Sequence, residues 1–320
     1  MGAVLLSELQ MKAESRSYVD AMHGILAHGG WTTLAKPMLS GMSVTGFRFT
    51  VNRKLAADSS TVYNWMAENF LAADFLGITS SQQAGYSFDV TFPLYQKRAV
   101  SVIKRSIDHG MGAVFWKDGF VIAAGYDDER SELYYLDGSN DEHQIVPYAD
   151  FGINRSPYWY YQVFDSRIEL DELAVYKESC IQAIYKWETH DPMLPESHYA
   201  CGRSAYDAII HALRTGDYDR AGARQVFNDY AASKRDVQLY VDTLQGIWPQ
   251  LSAAAACYTR LSQLFAEIVG ITDSAEETAS EAEWIRLVMD ARQTEEQAIQ
   301  SMESFMRETI DNRYNDIALR

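Results

Sequence analysis

Hydrophobic residues recur at helical spacing in three segments of the first half of the chain. YVDAMHGILAH (18–28) places Val19, Met22, Ile25 and Leu26 on one face, and the following GGW is typical of a helix end. DSSTVYNWMAENFLAADFLGI (58–78) opens with capping residues, and YQKRAVSVIKRSIDHG (95–110) ends at a glycine. The expected apolar face of the second segment consists of Val62, Trp65, Met66, Phe70 and Ala73. These patterns predict three helices.

Alternating or β-branched and aromatic segments predict strands between and after these helices. In SGMSVTGFRFTV (40–51), Phe47, Phe49 and Val51 alternate with Arg48 and Thr50, which predicts a strand entered through glycines. Four further short segments, AVFWK, FVIAAGYD, ELYYLD and YWYYQVF, follow the third helix with turn residues between them. Helices followed by neighbouring strands indicate an α+β domain with an antiparallel sheet rather than an alternating α/β fold.

The second half of the chain has a helical pattern throughout. One apolar face keeps the near-heptad spacing of a bundle helix: Ala254, Tyr258, Leu261, Phe265 and Ile268. We therefore expect an α+β domain over 1–166 and an all-α helical bundle over 167–320.

The net charge of −16 disfavours nucleic-acid and membrane partners, because such a field repels phosphates and acidic lipids. Three cysteines at no framework spacing indicate reduced thiols and a cytoplasmic location. No apolar run approaches the length of a membrane span. A soluble intracellular protein is the expectation.

Motifs that bind cofactors or metals are missing from the sequence. It contains neither GxxxxGK[ST] nor HExxH, and no paired CxxC. Glu188, His190, His198 and Cys201 in ETHDPMLPESHYAC come nearest to a metal site, but such residues are common in loops. We expect no metal and no cofactor. Among the thiols, Cys201 is the best candidate for activation, because a helix N-terminus next to it would lower its pKa.

Several quoted segments together resemble a known family. GMSVTGFRF, YNWMAENFLAADFLGI, KRSIDHGMGAVFW and GFVIAAGYD…YYLDG lie in the first half; SAYDAIIHALRTGDYDRA, ASKRDVQLYVDTL, LSAAAACYTRLSQLF and DARQTEEQAIQSM lie in the second. They look like the BtrH-like family, named for the butirosin biosynthesis protein H and related to C39-type cysteine peptidases. The resemblance implies a papain-like (C39-like) first domain followed by a helical C-terminal domain.

The resemblance also implies where catalytic groups would lie. In papain-like relatives a cysteine starts the first helix, a histidine begins a hairpin strand, and an Asp or Asn follows the next strand. Here Ser17 or Asp20 falls at the first position, Gly119 at the second and Asp137 at the third. The cysteine and the histidine of the triad are thus both lacking, which implies a degenerate peptidase. Asp137 alternatively caps the turn that follows it.

Three functions remain open. The first is binding of a peptide, acyl group or small molecule in a cleft between the first helix and the hairpin. The side chains expected in that cleft are Asp20, His23, Trp65, Trp116, Gly119, Phe120 and Tyr126. The second is acyl or amide transfer by an atypical site of Ser17 or Ser43 with His109 and Asp137, although −16 disfavours an acidic carrier partner. The third is an interaction protein that forms a homodimer through its helical half.

Overall fold

Antiparallel strands dominate the first half of the chain and helices the second, so the protein is α+β. The computed structural model describes residues 2–15, 18–273 and 281–316. The chain forms two units: one contains Met1–Leu39 and Trp65–Leu170, the other Ser40–Asn64 and Asp171–Arg320. The described residues form nine α-helices, none of which is both long and apolar enough to cross a membrane.

The helices of the first half confirm most of the sequence pattern. They are α1 (Tyr18–His28), α2 (Lys36–Met42), α3 (Trp65–Asp74) and α4 (Phe92–Asp108). The interpretation of 58–78 was wrong in its start and its face, since α3 begins only at Trp65 and leaves Met66 and Phe70 exposed. The buried residues of α3 are Asn69, Ala72 and Ala73. The small side chains of the two alanines allow the helix to lie close to its neighbours.

The first unit is built on a seven-stranded sheet in the described residues. Its strands are β1 (Val4–Leu5), β3 (Ile78–Tyr86), β4 (Ala113–Trp116), β5 (Phe120–Asp127), β6 (Glu132–Leu136), β7 (Gln144–Pro147) and β8 (Tyr158–Arg167). The order is β3-β8-β4-β5-β6-β7, with β1 paired to β5, and every pairing is antiparallel. The hairpin β4–β5 and the strands β6 and β8 confirm the four predicted segments.

The two faces of this sheet carry different helices. Val121, Ala123 and Tyr161 belong to one core cluster with Ile103 and Ile107 of α4. Successive residues of a strand point to opposite faces. Phe120 and Ile122 therefore face the other side, where the Phe120 ring contacts Tyr18 of α1 at 5.9 Å between centroids.

The second half of the chain is mostly helical, as predicted, but it is not all-α, because one short strand lies between two of its helices. Its helices are α5 (Glu172–Glu188), α6 (Arg203–Thr215), α7 (Arg220–Ile247), α8 (Ser252–Asp273) and α9 (Glu281–Asp316). The near-heptad residues of α8 are all buried, and α8 packs against α7 and α9. Packing within the chain thus accounts for this face without a second copy of the protein.

Residues 40–64 belong to this second unit. The strand predicted from the alternation of Phe47 to Val51 is shorter than expected: α2 reaches Met42, residues 45–47 form a 3₁₀ turn, and only β2 (Thr50–Asn52) pairs as a strand. β2 pairs with β9 (Tyr199–Cys201). Alternation misled here because both faces are covered, and the polar Arg48 and Thr50 are buried like the apolar residues with which they alternate.

Candidate functional site

The segment before α1 is held to the helix by the carboxylate of Asp20. Its oxygens accept hydrogen bonds from the backbone N–H groups of Glu14 (3.1 Å) and Ser15 (2.9 Å) and from Ser15 Oγ (3.2 Å). Lys36 Nζ lies 3.3 Å away. Burial raises the pKa of Asp20, and the Lys36 ammonium opposes that effect in part. Asp20 is therefore a structural anchor; Ser17, the candidate nucleophile, lies outside the described residues.

His23, also expected in the cleft, bonds to the backbone. Its Nε2 lies 3.2 Å from the carbonyl oxygen of Leu34, to which a neutral imidazole donates. Burial lowers the pKa of His23, which favours the neutral form. The ring fixes the chain after α1.

Gly119 lies in the tight turn between β4 and β5, where Lys117 N–H donates to its carbonyl oxygen at 2.8 Å. A Cβ added at Gly119 would meet no heavy atom within 4 Å, and its φ is not in the left-handed region. The position therefore has room for a side chain and carries none. Because Ile122 pairs with Leu136, continuation of the register brings Asp137 to this same end of the sheet.

Asp137 is engaged by its own turn. Its Oδ1 accepts hydrogen bonds from Ser139 N–H at 2.9 Å and from Ser139 Oγ at 2.6 Å. This geometry is the turn cap that the sequence offered as the alternative to a catalytic role.

Aromatic rings pack between the start of α1 and the hairpin. The Trp116 and Phe120 rings lie 5.1 Å apart, and the Trp65 ring lies 4.5 Å from Trp116 and 5.4 Å from Phe120. Tyr18 and Tyr160 close the cluster against Phe120 at 5.9 and 6.0 Å. The side chains expected to line an open cleft here are instead packed on one another, with Trp116 and Phe120 buried.

Tyr126 and His109 are not part of this cluster. Tyr126 lies six residues beyond Phe120 in β5, a separation of about 20 Å at the rise of a strand. Its hydroxyl donates a hydrogen bond to Asp108 at 2.6 Å. That hydrogen bond raises the pKa of Tyr126 to about 12. His109 follows α4 and precedes β4, at the end of that strand away from the Gly119 turn, and its Nδ1 lies 2.6 Å from the Arg105 carbonyl oxygen. The sheet does not bring His109 and Asp137 together.

The candidates in the second unit have structural contacts. Ser43 Oγ lies 3.0 Å from Thr45 Oγ1 in a buried pair, and His190 Nε2 lies 2.7 Å from the Leu194 carbonyl oxygen. Within the described residues no three His, Cys, Asp or Glu side chains are placed to hold a metal ion. Burial raises the pKa of Cys201, so the lowering expected from the adjacent helix was wrong.

Sequence reasoning missed an open groove of about 1160 Å³ in the first unit. One wall is a stripe along α4, formed by Tyr95, Arg98, Val102, Arg105 and His109. The other wall comes from Ser81 and Gln83 of β3 and from Tyr161, Val163 and Asp165 of β8, and Met66 and Phe70 of α3 also line the groove. The spacing of the α4 residues repeats every three or four positions, and this is the sequence signal that identifies the wall.

No protein-family model matches the chain, and no curated protein matches it in sequence.

Proposed function

We propose that this chain is a catalytically degenerate papain-like protein of the BtrH-like kind, whose first unit binds a ligand rather than cleaving a substrate. The observation that carries the proposal is Gly119: where the resemblance requires the general base, the turn has no side chain, although an added Cβ would meet no heavy atom within 4 Å. The ligand is a peptide, an acyl compound or another small molecule.

The other groups needed for hydrolysis are committed elsewhere. General acid–base catalysis requires an imidazole or carboxylate within hydrogen-bond reach of the reacting proton. His23 and His109 each bond to a backbone carbonyl, and Asp137 accepts from Ser139. Among the described residues, none of the three forms a hydrogen bond with another titratable side chain, as a base in a triad would.

Binding remains a physically reasonable use of the first unit. Ligand sites are concave, have roughly 300–1,000 Å³ of space, and combine apolar walls with a few polar groups. The groove along α4 is of this order of size and mixes Val102, Val163 and Phe70 with guanidinium, amide and hydroxyl groups.

Loss of catalysis is tested by assaying the purified protein with p-nitrophenyl octanoate and by labelling it with a serine-reactive fluorophosphonate. We expect Ser17→Ala to hydrolyse the ester at the rate of the parent, and residue 17 to remain unlabelled by mass mapping. Ser101→Ala, an exposed serine on α4, is the matched control. Turnover that disappears in Ser17→Ala and persists in Ser101→Ala would instead establish a serine-based acyltransferase.

A further inference from the structure

We propose that the groove between α4 and β3 binds one anionic group of an organic ligand, a carboxylate or a phosphate, through Arg98, Arg105 and the hydroxyl of Tyr161. The inference rests on the proposed binding function and specifies the chemical class of the ligand. Its four supporting observations are the arginines, the unbonded hydroxyl of Tyr161, the position of the one carboxylate, and the exposed apolar residues of the groove.

Arg98 and Arg105 extend from the same face of α4. They are seven residues apart, about 10.5 Å along a helix axis, with Val102 between them. Both are exposed, and neither forms an ion pair or a side-chain hydrogen bond with any described residue. The net charge of the chain is −16, so two unpaired guanidinium groups on one concave wall form a local positive region on a negatively charged protein. Guanidinium forks match carboxylate and phosphate oxygens in geometry.

Tyr161 supplies a hydroxyl donor on the opposite wall. Its side chain is only 4% exposed, yet its hydroxyl has no hydrogen-bond partner among the described residues. The hydroxyl oxygen itself is not fully buried, so it is open to the groove and can donate a hydrogen bond to a ligand oxygen there. Burial raises the pKa of Tyr161, while Arg98 and Arg105 both lower it, which places the hydroxyl within the field of both guanidinium groups. Gln83, its partner in β3, adds an amide with no hydrogen bond in the described chain.

Asp165 restricts the groove to one anionic group. Asp165 lies on the same strand as Tyr161, four residues further along, which separates their backbones by about 13 Å at the rise of a strand. The Asp165 carboxylate accepts a hydrogen bond from Ser81 Oγ at 2.7 Å. A second negative group at that end would be repelled.

The remaining lining suits hydrocarbon. Met66 and Phe70 are 40% and 47% exposed and line the same groove. They are the residues that helical spacing placed on the buried face of α3. A ligand with an apolar body beyond its anionic group would cover these side chains and remove their surface from water.

The test uses isothermal titration of the full chain with octanoate and octyl phosphate, with octanamide as a neutral compound of equal chain length. We expect octanoate or octyl phosphate to bind, Arg98→Gln/Arg105→Gln to weaken that binding at least tenfold, and Tyr161→Phe to weaken it several-fold. The matched control is Lys97→Gln/Arg130→Gln, which removes two exposed charges of the same unit outside the groove and should leave the affinity within about twofold. All substituted arginines and lysines are exposed, and circular dichroism verifies that each variant is folded.

Three outcomes contradict the inference, and they separate it from the proposed function. If octanamide binds the parent as tightly as octanoate, the groove binds a ligand but not by its charge, and only the anion proposal fails. Equal losses in the groove variant and in Lys97→Gln/Arg130→Gln would attribute binding to overall charge, with the same consequence. If no compound of this set binds and none of a panel of short neutral peptides raises Tm, the binding function fails as well.

Discussion

A buried ion pair in the second unit shows how single residues specify the helical packing. Lys234 Nζ on α7 lies 2.5 Å from Glu295 Oε1 on α9, and the hydroxyl of Tyr206 on α6 donates to Glu295 Oε2 at 2.6 Å. The ammonium also lies 4.7 Å from the centre of the Phe49 ring. Because these groups are almost fully buried, each charge depends on the other for compensation.

Removing one partner leaves an uncompensated buried charge. We expect Lys234→Met to lower the free energy of unfolding by about 3–5 kcal/mol, measured by urea denaturation. Lys54→Met breaks an exposed pair, 3.1 Å from Asp217 in the same unit, and should cost less than about 1 kcal/mol. Equal destabilisation by the two variants would mean that the buried pair contributes no more than a surface contact.

At the residue scale, periodicity predicted the buried face of α1 but misplaced Met66 and Phe70 of α3. Val19, Met22, Ile25 and Leu26 are buried as their spacing indicated, because one helix face is a local property of the sequence. The pairing of Lys234 with Glu295 and the open hydroxyl of Tyr161 depend on residues far along the chain. Nothing local in the sequence specifies them.

Two glycines at strand β5 have different roles. The structure requires Gly125, which lies in the strand, but not Gly119, which lies just before it. A Cβ at Gly125 would lie 2.6 Å from the carbonyl oxygen of Val4 and 3.2 Å from Leu5 Cα, because β1 lies against this point of the strand. At Gly119, just before β5, an added Cβ meets nothing within 4 Å. The first glycine allows β1 to approach, whereas the second only leaves space.

Alanine substitutions separate the two roles. We expect Gly125→Ala to destabilise the protein by about 1–3 kcal/mol, since either β1 or β5 must move. Gly119→Ala should change the free energy of unfolding by less than about 1 kcal/mol. A slight increase is expected, because alanine lowers the conformational entropy of the unfolded chain. Urea denaturation of the two variants in parallel measures the difference. A large loss at Gly119 would show that the turn has no room for a side chain, and would remove the main support for a vacant base position.

At the element scale, the sequence indicated α1 and α4 correctly because each carries an uninterrupted helical pattern. It indicated the β4–β5 hairpin correctly because two short apolar runs are separated by turn residues. β3 was not predicted, since ITSSQQAGY is polar and contains a glycine and an alanine. Its strand conformation comes from pairing with β8 over nine residues. Missing β3 also concealed the groove, whose second wall it helps to form.

At the scale of the whole molecule, the helical unit is not continuous in sequence. Residues 40–64 contribute Phe49, whose ring lies 4.7 Å from that of Tyr206 and 4.6 Å from that of Tyr230. The Tyr230 hydroxyl donates to the Thr50 carbonyl oxygen at 2.5 Å and accepts from Thr50 N–H at 2.8 Å. The sequence pattern could not reveal this arrangement. Residues 40–64 lie between segments of the first unit in the sequence, and their alternation resembles a strand of that unit.

The helical half should therefore need residues 40–64 to reach its native packing. We expect a chain of residues 171–320 alone to retain helical far-UV circular dichroism but to show weak near-UV signal and broad thermal unfolding, because the space filled by Phe49 is left empty. Adding a synthetic 40–64 peptide should restore the near-UV signal and a cooperative transition. The same peptide with Phe49→Ala is the control; loss of a buried phenylalanine costs about 3–5 kcal/mol, a weakening of more than a hundredfold. A 171–320 chain that unfolds cooperatively without the peptide would show that the helices form a complete core by themselves.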